Sequence, residues 1–298
     1  MKRITIDPIT RLEGHGKIEI FLNEEGDVAN AYFQIPELRG FEQFCVGRPA
    51  EEMPRITNRI CGVCPEAHHM AGTKALDALF IIETTDTVKK LRDLFYSSFY
   101  VTDHTVHFYA LGGPDFVLGP EAPPAERNIL GLIHKVGVDV GKQVIESRGK
   151  AMDIVGMLGG KTIHPVGAIP GGVSKAINEE ERIQLEAWGH ELVEFGLFGI
   201  QLFKDVVLGN KDYVELILNG PYTLDVHNMR LVDENNAPNF YDGQVRVVDF
   251  EGKEIDRYEA PDYADHVAEH VEPWTYLKFP FLKKRGWQGF VEGRDTSL

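Results

Sequence analysis

Hydrophobic and polar positions alternate at the start of the chain and then change period. Lys17-Ile18-Glu19-Ile20-Phe21-Leu22 and Val28-Ala29-Asn30-Ala31-Tyr32-Phe33 flank the turn residues Asn23-Glu24-Glu25-Gly26-Asp27, a pattern that predicts a β-hairpin. Beyond Cys64 the spacing becomes helical. Pro65 suits the first position of a helix, and Ala67, Ala71, Ala75, Ala78 and Leu79 follow along it. A second helix after Thr84-Thr85 carries the stripe Val88, Leu91, Phe95, Phe99, Val106 and Tyr109. A third runs through Ile129, Ile133, Val136, Val140, Val144, Ala151 and Val155 and is ended by Gly159-Gly160. Residues 161–175 are punctuated by Gly and Pro and read as a loop. Asn178 is a good N-cap for a fourth helix, with Glu179, Glu180 and Glu181 at its positive end and Ile183, Trp188, Leu192, Phe195, Phe198, Leu202 and Val206 along it. After Pro221 short strands return, as at Gln244-Val245-Arg246-Val247-Val248, with a turn at Glu251-Gly252. The elements predict an α+β fold, a central bundle of long helices with peripheral β structure.

Composition narrows the function. With 298 residues, 43% of them hydrophobic, the chain can bury a sizeable core. A formal charge of −15 repels phosphate backbones and argues against nucleic-acid binding. No apolar run reaches the length of a membrane span. The charged, alternating start, Met1-Lys2-Arg3-Ile4-Thr5-Ile6-Asp7, lacks the apolar core of a secretory signal. Three cysteines make no disulfide framework, and a cytoplasmic, reducing setting is expected. The closing residues 290–298 show neither a helical pattern nor a polar tail. They read as a chain interrupted within a domain, so residues 1–298 are expected to form one domain, incomplete at its C-terminal end.

The most informative stretch is Arg59-Ile60-Cys61-Gly62-Val63-Cys64-Pro65-Glu66-Ala67-His68-His69. A Cys-x-x-Cys pair sets two sulfurs within reach of one metal ion. Gly62 relaxes the turn between them. Cys64, at the N-terminal end of a helix, lies where dipole and free N–H groups favour a thiolate. His68, one turn further on the same face, could hydrogen-bond a metal-bound sulfur. The spacing alone leaves metal binding, half a zinc site, a redox dithiol and an inert pair open. Structural zinc needs two more ligands, and Cys45, the only other cysteine, has no close partner. A thioredoxin-like reading needs an early βαβ unit, and none is visible.

Four segments together resemble one family. Asp7-Pro8-Ile9-Thr10-Arg11-Leu12-Glu13-Gly14-His15, then Arg39-Gly40-Phe41-Glu42 with the run through Cys61, Cys64 and His68, then Thr102-Asp103-His104-Thr105-Val106-His107-Phe108-Tyr109, then Gly159-Gly160-Lys161-Thr162-Ile163-His164-Pro165 are similar, in the same order, to segments of NiFe-hydrogenase large subunits. The form Cys-Pro-Glu-Ala-His-His leans toward the soluble cytoplasmic branch, including the hydrogenases that feed heterodisulfide reductase.

The resemblance implies a centre of nickel and an iron carrying cyanide and carbon monoxide, held by four thiolates. Cys61 would be a terminal nickel ligand and Cys64 a bridging one. It implies that Glu13 relays protons, that Glu42 is linked to a magnesium ion, and that Asp103 holds an arginine over the metals. It further implies H2 as substrate and a partner small subunit whose iron–sulfur clusters take the electrons, with further electron-transfer subunits beyond. His164 is placed by it toward the small subunit's nearest cluster; otherwise it is a loop histidine in water. Arg11 and His15 are read as organisers around Glu13, His104 and His107 as packed and hydrogen-bonded, and Cys45 as a core residue. The family's second Cys-x-x-Cys is absent, for no cysteine follows Cys64. The alternative is therefore a metal-free or zinc-bound structural subunit, related to the quinone-site subunit of respiratory complex I.

Overall fold

The computed structural model describes residues 2–220 and 226–289. These divide into two compact units, Met1–Val207 and Leu208–Leu298. Residues 290–298, on which the expectation of an interrupted domain rested, lie outside the described residues.

The first unit opens with a three-stranded antiparallel sheet, β1 (Lys2–Ile6), β2 (Lys17–Leu22) and β3 (Val28–Gln34), in that order. The expected hairpin is β2–β3, with a register shift at Phe21/Leu22, and the alternating N-terminal residues add the third strand. Two short helices follow, α1 (Phe41–Cys45) and α2 (Met53–Thr57). Then come α3 (Pro65–Leu79) and α4 (Asp86–Thr105). The chain next winds through a π-helical stretch, Val106–Gly112, into α5 (Gly113–Val117). The third expected helix is two, α6 (Ile129–Val136) and α7 (Val138–Gly159). Gly137 breaks it with φ 98°, a conformation that side chains other than hydrogen rarely adopt. The loop of 161–175 contains a minimal hairpin, β4 (Ala168–Ile169) with β5 (Gly172–Val173). Finally α8 (Glu179–Phe203) starts at a full capping box, Asn178 with Glu181, as the sequence predicts, and ends in a π-helical turn, Lys204–Leu208.

The long helices α4, α7 and α8 supply the core. Ala151, Ile154, Leu185 and Leu192 form a buried cluster closed by Val101, Met157, Leu158 and Trp188. Phe95 and Phe99, from the expected stripe of α4, are buried as well. At the end of α7 the loop comes very close. A Cβ on Gly159 would lie 2.6 Å from Phe95 Cε2 and 2.9 Å from Pro165 Cβ, and one on Gly167 would lie 2.4 Å from the Leu158 carbonyl oxygen. Glycine at both positions lets residues 165–168 pass directly beneath the helix.

Helix α3 buries a different face from its alanines. Ala71, Ala75 and Ala78 are exposed, whereas Glu66, His69, Met70, Thr73 and Leu76 are buried. His69 and Thr73 on that face have partners that repay their desolvation. His69 Nδ1–H donates to the Pro54 carbonyl at 3.3 Å, and its Nε2 accepts from the Ala168 N–H at 3.1 Å. Thr73 donates to the His69 carbonyl. At the next turn Asp77 pairs with Arg92 of α4, a side chain only 1% exposed, at 2.5 Å. Arg92 also donates to the carbonyls of Ile169 and Gly172, and Asp77 accepts from the Gly171 N–H. One buried ion pair thus pins the β4–β5 hairpin to α3 and α4.

The second unit holds α9 (Lys211–Asn219), a three-stranded antiparallel sheet of β6 (Asn228–Val232), β7 (Gln244–Val248) and β8 (Glu254–Tyr258), and the pair β9 (Val267–Val271) with β10 (Lys278–Leu282). Val247, Tyr258 and Leu282 are its buried centre.

Removing one member of a buried, hydrogen-bonded ion pair strands the other charge. Arg92→Leu is expected to destabilise the chain by about 3–5 kcal/mol in urea unfolding, well beyond a surface pair such as Lys142–Glu146, whose loss costs about 0–1 kcal/mol.

Candidate metal centre

Cys64 is the N-cap of α3, with Pro65 as the first helical residue. The Cys64 N–H donates to Cys61 Sγ at 3.2 Å, which folds the loop back on itself and brings both sulfurs to one place. Gly62 is not in the left-handed region, and a Cβ there would meet nothing within 4 Å. The turn does not require glycine, contrary to the expectation. Both cysteines are half-buried and free. Cys45 is half-buried at the end of α1 rather than in the core.

Glu13 comes to the pair from a distant part of the chain. Its Oε1 lies 3.8 Å from Cys61 Sγ. The loop bearing it is closed by the Ile9 N–H on the Gly16 carbonyl, and Glu13 is exposed at its turn. Asp103, half-buried on α4, lines a cavity of about 150 Å³ with Gly62, Val63, Glu66, Thr102 and Arg148. A second cavity, about 360 Å³ and almost wholly apolar, shares Val106 and Arg148 with the first.

The electrostatics oppose a bare thiolate at Cys64. Burial, the hydrogen bond with Cys61 and the negative charge of Cys61, Glu13 and Asp103 all push its pKa up, to about 12. The expected help from the helix N-terminus is overridden. A thiol so placed releases its proton to solvent readily only when a cation sits beside the sulfur and stabilises the thiolate, and two soft sulfurs side by side suit nickel or iron better than a hard cation. The donors present fit such a centre as part of its ligand set. Among the described residues no group of three or more His, Cys, Asp or Glu side chains could hold a metal ion by itself. The chain holds three cysteines, Cys45, Cys61 and Cys64, too few to make a four-thiolate centre by themselves.

The other expected residues are placed as follows. His68 is half-buried, burial holds its ring pKa below the usual range, and among the described residues its ring bonds neither sulfur. Glu42 is exposed in the first turn of α1, in none of the clusters described above. His104 and His107 are exposed rather than packed; His104 bonds the Tyr100 carbonyl at 2.9 Å. His164 is half-buried, adopts φ 54° and bonds the Asn58 carbonyl through Nδ1 at 2.8 Å, so it is not a histidine loose in water.

Two residues of the site escape sequence reasoning. Glu66 follows Pro65 and reads as an acid favourably placed at a helix start, yet it is 5% exposed and its Oε2 has no hydrogen-bond partner among the described residues. Burial, with a smaller push from Asp103, raises its pKa to about 7. Arg148 lies in the same cavity, and its buried Nε is also without a partner among the described residues. The available signal was the helical period of α3, which sets Glu66 on one face with His69, Met70 and Thr73.

Comparison with known proteins follows the same residues. A family model described as HoxL-like matches residues 3–38, and one described as nickel-dependent hydrogenase matches residues 39–127. The chain is 51% identical over its whole length to an iron-sulfur subunit of the F420-non-reducing hydrogenase of Archaeoglobus profundus, covering 61% of that protein. It is 44% identical over 96% of its length to a vhu subunit of the F420-non-reducing hydrogenase of Methanocaldococcus jannaschii, covering 67% of it. Its fold superimposes on a crystal structure of an NAD+-reducing NiFe-hydrogenase in the H2-reduced state with a TM-score of 0.87 and 34% identity, over 98% of this chain and 64% of that one. The chain thus spans roughly three fifths of the first of these relatives.

The raised pKa of Glu66 has a consequence for stability. The unfolded chain loses this proton at the ordinary carboxylate pH, whereas the folded chain keeps it up to about 7. Folding is therefore penalised progressively as pH rises through that window, and the penalty is complete above it. Glu66→Gln, which cannot ionise, is expected to gain about 1–3 kcal/mol on the parent between roughly pH 5 and pH 8 in urea unfolding. A difference independent of pH would show that Glu66 ionises normally.

Proposed function

The chain belongs to the nickel-dependent hydrogenase family, and from that premise we propose that it forms the part of a hydrogenase large subunit that carries the first two thiolate ligands and the first proton acceptor. The observation that carries this reading is the meeting of Cys61, Cys64 and Glu13, three residues from two separate segments, with Glu13 Oε1 3.8 Å from Cys61 Sγ. A nickel–iron centre, its iron bearing cyanide and carbon monoxide, supplies when bound the heterolytic splitting of H2 and the acceptance of the electron pair. Cys61 and Cys64 would hold it through their sulfurs.

The chain's own residues then manage the proton. Glu13 Oε1 is within reach of a proton on Cys61 Sγ, and the exposed carboxyl can pass it on to water. Asp103 acts as a positioning residue, an acceptor for a guanidinium brought from outside these residues. His68, kept neutral by burial, would turn toward a sulfur once the metals are seated. Glu42 is proposed as one ligand of a magnesium ion, a hard cation that prefers carboxylate oxygen.

The electrons would leave to the iron–sulfur clusters of a small subunit, then to further electron-transfer subunits. The Archaeoglobus relative, named as an iron-sulfur subunit of a hydrogenase, supports such an assembly. The reading takes residues 1–298 as part of one large-subunit domain, since the likeness to that relative runs across both units. No helix among the described residues is long and apolar enough to cross a membrane. A cytoplasmic setting is part of the proposal and rests on the sparse, unpaired cysteines. The alternative of a metal-free or zinc-bound structural subunit has no support from the relatives named above, each of which is a hydrogenase.

The test uses the chain matured with its neighbouring subunits. Cys61→Ser and Cys64→Ser are each expected to lose nickel. Glu13→Gln is expected to keep nickel and iron in equal amounts while D2/H+ exchange falls by about 100-fold or more, the loss of a general acid–base step. Zinc alone in the parent protein, or full exchange in Glu13→Gln, would overturn the reading.

A further inference from the structure

Glu13 stands on a loop that has little to hold it. Residues 9–16 contain no helix or strand, and among the described residues their one backbone-to-backbone tie is the Ile9 N–H on the Gly16 carbonyl, 3.0 Å, at the base. A carboxylate on such a loop would sweep a wide volume, and proton transfer falls off steeply once donor and acceptor leave hydrogen-bond reach. Yet the residues two before and two after Glu13 are both fastened to other segments.

Arg11 is the stronger of the two. Its Nε donates to Asp115 Oδ2 at 3.3 Å and its Nη2 to the Arg127 carbonyl at 2.7 Å. Asp115 is shared, for its Oδ1 takes Arg127 Nε at 3.4 Å, and Arg127 in turn bonds the Pro120 carbonyl. The backbone of Arg11 sits at φ 62°, where a residue with a Cβ is strained and stays only if its surroundings insist. The side chain's anchorage is what insists. On the other side, both the His15 N–H and its Nδ1 meet Glu37 Oε1, at 2.7 and 2.8 Å. Gly14 between them has φ 77°, and a Cβ there would lie 3.2 Å from that same oxygen.

We infer that Asp115, through Arg11, is a positioning residue for Glu13. The pair Asp115–Arg127, at the start of α5 and just before α6, holds Arg11 in its strained conformation. Arg11 in turn fixes the Glu13 carboxyl within reach of Cys61. A single exposed ion pair would not suffice for this. Here two arginines converge on one carboxylate and add two backbone carbonyls, so the geometry is determined by several bonds at once. The inference rests on the reading of Glu13 as proton acceptor and adds the device that aims it.

The test uses the parent and two loosening variants of the complete matured enzyme, Asp115→Asn and Arg11→Lys, with Asp115→Glu as a conservative control. The second keeps the charge but cannot bond Asp115 and the Arg127 carbonyl together. Two quantities are measured: amide deuteration of residues 9–16 by mass spectrometry, and D2/H+ exchange with metal content and the infrared bands of the iron's diatomic ligands as controls. The expected result is deuteration of 9–16 about 10-fold faster, isotope exchange reduced about 10-fold, and metals and infrared bands unchanged, with Asp115→Glu recovering most of both losses. Unchanged deuteration in both variants would overturn the clamp. Faster deuteration with isotope exchange at the parent level would overturn its role in aiming Glu13. A parallel Glu13→Gln sample separates the two levels: full exchange in that variant sinks the proton-acceptor reading itself, while the clamp is still read from the deuteration.

Discussion

The buried pair of Asp77 and Arg92 is the constraint from which the candidate site is built. An arginine 1% exposed is tolerated only because a carboxylate and two backbone carbonyls take up its donors. Those carbonyls belong to Ile169 and Gly172, so the ion pair fixes the β4–β5 hairpin against α3 and α4. Once the hairpin is fixed, the residues before it fall into place. Ala168 reaches His69, the Pro165 carbonyl takes Asn58 Nδ2 at 2.9 Å, and His164 takes the Asn58 carbonyl. The thiolate loop between α2 and α3 is thereby backed from behind by a rigid wall. Its front is left to the Glu13 loop.

Around that loop the chain gathers negative charge. Burial first, and then the charge of Cys61, Glu13 and Asp103, pushes the Cys64 thiol up, while burial with a smaller push from Asp103 raises the Glu66 carboxyl. Such a place is costly for a protein to maintain without function, and it is the environment in which a cation gains most. The same fold sets the Glu13 carboxyl 3.8 Å from Cys61 Sγ, within reach of a proton on that sulfur.

Much of this was legible from residues alone. The β2–β3 hairpin, the stripe of α4 through Phe95 and Phe99, and the Asn178 cap of α8 follow from local pattern and local chemistry, and they form as expected. The Cys61–Cys64 pair and Glu13 were legible as motifs, and the chain brings them together. What sequence concealed depends on partners far along the chain. Helix α3 presents small apolar residues on one face and polar ones on another, and periodicity favours burying the first. Most of the polar face can turn inward because Ala168 and Pro54 bond His69 and Arg92 pairs with Asp77, from up to 99 residues away. The break at Gly137 hid for a different reason, since a single glycine inside an apolar period is compatible with both one helix and two.

The fastening of His69 bears on which metal the site admits. Written out, Cys61, Cys64, His68 and His69 contain two thiols and two imidazoles, the donor set of a closed tetrahedral zinc site. In the folded chain both nitrogens of His69 are already engaged, by the Pro54 carbonyl and the Ala168 N–H, and the ring is 2% exposed. It cannot be the fourth donor. At most three of the four remain, and an abundant metal that favours completing four bonds from one segment is denied its last. The imidazole engaged by the hairpin wall is thereby withheld from any zinc ion that the two neighbouring thiols could attract.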